Sequence, residues 1–240
     1  MTESAISTTP HIITHHAGID EAGRGPVLGP LVIGLVVLTS TQQQKLAELG
    51  VTDSKKLSAK KREELFTQIH SHSTHAQVQI VPATQIDTYL TSGTNLNMVE
   101  AIETAKLCTT IPLTILSQTK LMIDLPSKNK TQYLQSIATQ WSNTKQLGAI
   151  DAEFKADLNH IAVGAASILA KVTRDNIIRE IEAQIGIPIG SGYPSDPVTK
   201  AFIAAHAKDY PHICRNTWES IKRLQQTDVQ HTLDTFSQKK

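Results

Sequence analysis

Two cysteines stand in the 240 residues, Cys108 and Cys214, far apart and with no CxxC partner. That rules out a cysteine-rich zinc site and points to two buried thiols in a reducing compartment. No apolar run approaches the roughly 20 residues that a membrane span needs, so no membrane association is expected. Charge of one sign is not in excess either: 23 Lys and Arg against 22 Asp and Glu give a net charge of +1. The whole molecule is no polycation, and any nucleic-acid surface must be a local basic patch offset by acids elsewhere. The opening residues MTESAISTTPHII lack the basic start and apolar core of a secretory signal, so a cytoplasmic location is expected. Internal repeats and low-complexity linkers are absent as well. What is there is ordinary globular material, 40% apolar and 19% charged. The length suits one buried core. Residues 1–11 are expected to be loose, 12–226 to form one domain, and 227–240 to be a flexible polar tail. A monomer is the expected state.

Periodicity predicts strands over Ile12–Asp20, Leu31–Leu38, Ala76–Val81, Lys120–Leu125 and Gln146–Ile150. The first two are joined by a short Gly- and Pro-rich link that suits an antiparallel pair. Helices are predicted over Gln42–Leu49, Ala59–His70 with Ser58 as N-cap, Leu96–Leu107 and Thr131–Trp141. Met98, Ile102 and Ala105 share one face of the third. A long helix over His160–Ile185 starts small and apolar and turns charged, as if its first half were buried and its second wet. Val198–Lys208 and Trp218–Gln226 complete the helices. Strands first, then strands alternating with helices, indicate an α/β layer with a mixed sheet.

The chemistry concentrates in GIDEAGRGPV, Gly18 to Val27. An apolar run reaches two adjacent carboxylates, Asp20 and Glu21. Such a pair at a strand end supplies hard oxygen ligands for Mg²⁺ or Mn²⁺. The turn Gly23-Arg24-Gly25 follows at once; its glycines allow close backbone approach, and an arginine between them suits a phosphate. Adjacent strand residues point to opposite faces, so both acids reach one metal only if the strand is ending there. Asp124 closes the apolar run KLMIDL, where an acid has little structural purpose beyond a helix N-cap. A fourth acid is open from spacing alone, which favours Asp151 at the end of QLGAID. The histidine clusters, His15 with His16 and His70, His72 and His75, lack the cysteine or fixed acid of a zinc site and read as surface or strand-edge residues.

GIDEAGRGPVLGPLVIG resembles the signature of type 2 ribonuclease H, the ribonuclease HII family. Three further stretches match that family in order: DSKKLS from Asp53, KAD from Lys155 with GAASILAKVTRD ending at Asp175, and GSGYPSDP from Gly190. The GYPSDP wording and RNTW at Arg215–Trp218 are similar to the archaeal and eukaryotic branch. The resemblance spans about Ile13 to Trp218. It implies the ribonuclease H-like fold, a mixed sheet flanked by helices, with a helical C-terminal part. It implies hydrolysis of the RNA strand of RNA-DNA hybrids, including single ribonucleotides embedded in duplex DNA, by two metal ions roughly 4 Å apart. By the resemblance the cut falls 5′ of the ribonucleotide and leaves a 3′-hydroxyl and a 5′-phosphate.

Carried over by motif, the fourth acid is Asp157 of the KAD stretch, with Asp151 and Glu153 as the remaining alternatives. Gly23, Arg24 and Gly25 match the element that contacts the 2′-hydroxyl, the group that separates RNA from DNA. Tyr193 matches the tyrosine that packs on the sugar of the following nucleotide. Lys55, Lys56, Lys171 and Arg174 are candidates for phosphate contacts, though Arg174 with Asp175 could form a structural ion pair. In the tail, Gln230, Leu233 and Phe236 resemble the Gln-x-x-aliphatic-x-x-aromatic peptide that docks on the DNA sliding clamp. Ser237 stands where that peptide usually has a second aromatic. Two other readings stay open: another metal nuclease of the same fold, similar to a junction resolvase, and a catalytically silent nucleic-acid-binding module.

Overall fold

The structure, a computed structural model, describes residues 12–221 and 223. The expected loose N-terminus, the end of the last helix and the tail with Gln230, Leu233 and Phe236 lie outside the described residues. Strands β1 (His15–Ala22) and β2 (Leu31–Thr39) open the chain, followed by helices α1 (Ser40–Leu49) and α2 (Ala59–His72). Strand β3 (His75–Val81) leads to α3 (Ala83–Thr91), α4 (Leu96–Cys108) and the short α5 (Leu113–Leu116). Next come β4 (Thr119–Asp124), α6 (Lys130–Gln140), β5 (Ala149–Glu153), the one-turn α7 (Ala156–Asn159), the 25-residue α8 (Ile161–Ile185) and α9 (Pro197–His206).

The five strands form one sheet in the order β3-β2-β1-β4-β5. β1 pairs antiparallel with β2 and parallel with β4, so the sheet is mixed, with β1 at its centre. Strands buried on both faces read as continuous apolar runs, and LVIGLVVL of β2 is one. One face packs on α4 and α6, where Val99, Leu107 and Ile137 meet Ile19, Ile33 and Leu121. The other is covered by α2 and α8, where Leu65, Ile69, Ala165 and Leu169 meet Val36 and Leu38. The small start of α8 has a specific cause. A Cβ on Gly18 would fall 2.1 Å from the Ala162 carbonyl carbon, and one on Gly34 would fall 2.3 Å from the Ala166 oxygen. The helix backbone lies directly on the sheet backbone there.

Local capping works as the residue types suggest. The Thr39 hydroxyl and the Gln42 side chain close a capping box on α1, and Ser58 Oγ accepts from the Lys61 N–H on α2. One helix is new and two expectations shift. α3 is not evident from its sequence; tertiary contacts hold it, with Ile86 in the core and Asp87 accepting from the Asn216 and Thr217 N–H groups. β5 runs over Ala149–Glu153 instead of Gln146–Ile150, because pairing from Lys120↔Ala149 to Asp124↔Glu153 carries its polar residues along the sheet edge. α4 buries Val99, Glu100, Glu103 and Leu107, while Met98 and Ile102 are only half-buried.

The C-terminal part packs on the segment after the Gly-Arg-Gly turn. Val27 and Leu28 join Ile189, Phe202, Ile213 and Ile221 in a third apolar cluster. Leu28 bridges to Cys214, and the Arg215 N–H donates to the Val27 carbonyl at 2.9 Å. The helical segment expected from Trp218 begins at residue 219 among the described residues.

Candidate active site: an acid cavity at the sheet's end

Ile19 of β1 stands opposite Ile123 of β4, so Asp20 and Asp124 leave neighbouring parallel strands at the same end. Both line an open cavity of about 450 Å³, with Glu21 beside them. β1 runs on through Ala22, past the end expected at Asp20, so the two acids belong to opposite faces, Asp20 toward Ser167 of α8 and Glu21 toward Glu100 of α4, and both still line the cavity. Gly23, Arg24 and Gly25 line the cavity's next edge, and Lys55, Lys171 and Tyr193 close it.

The acids stress one another. Burial, with Asp124 and Asp157 adding repulsion, pushes the Asp20 carboxyl up to about 7, while the Ser167 hydroxyl and the Glu21 N–H (2.7 Å) oppose the rise. Glu21 is pushed well above the usual range by burial, then by the charges of Glu100, Asp20 and Asp124. Asp124 is raised chiefly by burial; the Ala156 N–H donates to its Oδ1 at 2.8 Å, and the Lys55 charge lowers it. Asp157 does not line the cavity, yet it is 6% exposed and its charge acts on both Asp20 and Asp124. Lys155, the one non-glycine at positive φ among the described residues (57°), turns the chain from β5 into α7 and so brings Asp157 back toward the strand ends.

Asp151 stands elsewhere. It ion-pairs with Lys130, is half-exposed, and is held below the usual carboxylate range by that hydrogen bond. Glu153 meets His160 at 2.7 Å. The expected outcome of single substitutions is a large activity loss for Asp157→Asn and a small one for Asp151→Asn. Steady-state turnover on a hybrid checks it, and the reverse ranking would move the fourth acid to β5.

The candidate phosphate contacts divide. Lys55 and Lys171 line the cavity, Lys171 also pairing with Asp175 at 3.1 Å; exposed Lys56 does not line it. Arg174 lines the cavity as well. It is buried, and its guanidinium donates to the carbonyls of Pro30, Leu28 and Ser191 at 3.2–3.3 Å, so it ties loops together instead of presenting a charge to solvent. It forms no pair with Asp175, which takes Lys171 and Arg62. Arg24 likewise spends its guanidinium within the protein, on Glu100 and on Asn97 Oδ1 at 2.7 Å. Gly23 sits at φ 86°, and a Cβ there would meet Arg174 Nε at 2.4 Å.

Two residues escaped the sequence reading. Arg215 is fully buried and donates to the carbonyls of Gly29, Arg24 and Gly23 at 3.1, 3.1 and 2.5 Å; its only signal was its place in RNTW. Glu100 is 2% exposed on α4, and burial pushes it up to about 7 with Arg24 opposing. An acid inside an apolar helix stripe is a signal, masked because Met98 and Ile102 suggest a different buried face for α4 from the one that carries Glu100.

Carboxylates converging where strands end, with lysines beside them, define a hydrolase of phosphodiesters on a ribonuclease H-like sheet. The ribonuclease HII family profile matches residues 17–221, and the chain belongs to that family. It is 38% identical to the ribonuclease HII of Methanosarcina barkeri over 218 residues, covering 88% of this chain and 95% of the relative. It is 41% identical to that of Methanococcus maripaludis over 210 residues, 86% and 85% of the two chains. The crystal structure of ribonuclease H2 from Pyrococcus horikoshii superposes with a TM-score of 0.77 at 34% identity, covering 89% and 98%. The structure of the PCNA:RNase HII complex from Archaeoglobus fulgidus gives 0.72 at 31% identity, covering 88% and 96%. The protein is an endoribonuclease acting on RNA-DNA hybrids. Among the described residues no helix is long and apolar enough to cross a membrane.

Proposed function

We propose that this endoribonuclease cuts on the 5′ side of a ribonucleotide, including a single one embedded in duplex DNA, and leaves a 3′-hydroxyl and a 5′-phosphate. One juxtaposition carries the reading: Asp20, Glu21 and Asp124 share a cavity with the Gly23–Gly25 turn and the Tyr193 ring. The Tyr193 ring lies 3.2 Å from where a Gly25 Cβ would stand, so backbone and aromatic form one narrow edge. A sugar seated there meets main-chain groups that address its 2′-hydroxyl and a ring on which the next sugar packs. Lys55 and Lys171 take phosphates, with Lys56 beside Lys55 in the same turn, and Arg174 lines the same cavity while it ties its loops together.

Asp20, Glu21, Asp124 and Asp157 are the residues that would hold Mg²⁺ or Mn²⁺, as two ions. The donor set fits: all oxygen, with Asp20 and Asp157 buried and Glu21 and Asp124 half-buried, mutually repelling, and no histidine or cysteine lining the cavity among the described residues. Among the described residues no three acid, histidine or cysteine side chains stand close enough together to hold one ion. Such ions supply charge neutralisation at phosphorus and activation of water, so no histidine base is needed.

The deciding experiment is cleavage of a DNA duplex carrying one ribonucleotide, with the cut mapped to the nucleotide. A cut 3′ of the ribonucleotide, or equal cutting of an all-DNA duplex, overturns the reading. Metal binding has its own signature. Asp20 ionises near 7 when folded against an ordinary value of 3.8. Between those values the folded state holds a proton that the unfolded chain has released, so stability falls as pH rises through that window. A divalent cation offsets the buried charge. The Mg²⁺-induced rise in Tm is therefore expected to be larger at about pH 8 than at about pH 5.5. Equal rises at both would remove the acids from the metal site.

The tail residues Gln230, Leu233 and Phe236 are proposed to dock on a sliding clamp. The Archaeoglobus fulgidus relative was solved in complex with PCNA, which favours the reading. A clamp pull-down with the intact protein and with a chain ending at Thr227 tests it: only the intact protein is expected to be retained, and equal retention sinks the idea.

A further inference from the structure

Glu100 is a buried charge that does not line the acid cavity. One carboxylate oxygen accepts from Arg24 Nη1. Asn97, three residues earlier on α4, accepts from Arg24 Nη2 at 2.7 Å. The other oxygen, Oε1, is buried with no hydrogen-bond partner among the described residues. A half-satisfied buried carboxylate is a poor device for stability, and apolar replacements of buried ion pairs are often neutral or stabilising. The neighbouring acid on α4 makes the contrast. Glu103 is equally buried but accepts from Gln79, Gln85, Tyr89 and Lys106, a network complete in itself.

Glu100 does hold Arg24, and its charge also acts on Glu21. The turn is gripped from two directions. Arg215 holds the main-chain carbonyls of Gly23 and Arg24 from the C-terminal part, and Glu100 with Asn97 holds the Arg24 side chain from α4. Between the grips, exposed Gly25 faces Tyr193. We propose that Glu100 is a positioning residue for the Gly23–Arg24–Gly25 turn: by anchoring the Arg24 guanidinium on α4 it sets where the turn's backbone meets the ribose, and so how well the enzyme separates ribonucleotide from deoxyribonucleotide. The inference rests on the reading that the turn addresses the sugar.

A double-mutant cycle tests it, with kcat and KM measured on a long hybrid and on a duplex with one ribonucleotide. Glu100→Met should fold with a Tm equal to or above that of the parent protein and lose about a hundredfold in kcat/KM, the scale of a small misplacement at a reacting centre. Arg24→Met should lose a similar factor, and the double variant no more than the worse single one, because one anchor has been cut twice. Glu100→Gln retains an acceptor for Arg24 and should recover most of the activity. Losses that multiply in the double variant overturn the proposal, as does unchanged turnover of Glu100→Met. Should Glu100→Met fail to fold, Asn97→Ala at the exposed end of the same anchor takes its place. A smaller loss that does not add to that of Arg24→Met supports the proposal; full activity, or a multiplying loss, overturns it. If the parent protein cuts hybrids but shows no preference for the 5′ side of a single ribonucleotide, the sugar reading fails. The cycle on the long hybrid still decides the role of Glu100.

Discussion

Asp20→Asn and Asp124→Asn are each expected to leave a folded protein that binds hybrid but cleaves it about a thousandfold more slowly, the scale on which one preorganised charged contact is felt at a transition state. The side chains keep their shape, so the core around Ile19 and Ile123 is undisturbed. The charge is what goes, and with it one oxygen ligand of the divalent ions proposed for the cavity. Binding should persist because phosphate contacts made by lysines dominate affinity for nucleic acid. Stability should move the opposite way to activity. Burial already raises Asp20 to about 7, so at neutral pH without divalent ions the folded protein carries an uncompensated charge that Asn removes. A higher Tm for Asp20→Asn than for the parent protein in a chelator, together with lost turnover, is the joint signature. Near-normal turnover by either folded variant would place the chemistry elsewhere.

Gly18→Ala is expected to destabilise the protein by about 3 kcal/mol or more, a large part of the roughly 5–15 kcal/mol that holds a domain together. The added methyl would lie 2.1 Å from the Ala162 carbonyl carbon and 2.2 Å from the Val163 nitrogen, both backbone atoms that no rotamer change can move. Relief requires lifting α8 from the centre of the sheet, which opens the apolar layer of Val36, Ala165 and Leu169 and carries Ser167 away from Asp20. Gly93→Asn is the comparison. Gly93 also has positive φ (88°), but a Cβ there meets nothing within 4 Å, and asparagine tolerates that region. Its cost should stay below about 1 kcal/mol. Urea unfolding midpoints check both, and equal midpoint shifts would show that α8 is not seated directly on β1.

Much of the fold was legible because it is written in short-range pattern. LVIGLVVL reads as a doubly covered strand, and the change from AVGAASILA to RDNIIREIEA marks where α8 goes from burial all round to burial on one side, at Arg174 and Ile178. Asp20, Glu21 and Asp124 stood out for the same reason: an acid at the end of an apolar run is a local anomaly. α3 and the bounds of β5 were less legible, since Asp87 finds its partners about 130 residues away and β5 takes its register from β4.

By itself the sequence determined the sheet's central strands, the long helix and the acids at the strand ends, since periodicity and local composition need no knowledge of the rest of the chain. The motif pointed to Asp157, and the tertiary structure shows how that acid comes near Asp20 and Asp124. Asp157 is returned to them by the left-handed turn at Lys155, while Asp151, six residues earlier, faces Lys130 at the sheet edge. Only the tertiary structure decided what the arginines do. Arg24 meets Glu100 across 76 residues and Arg215 meets the Arg24 carbonyl across 191. Partners that distant leave no periodic trace, because a buried charge is satisfied by whatever group the fold brings within about 3 Å, and that proximity exists only once the sheet and its helices have packed.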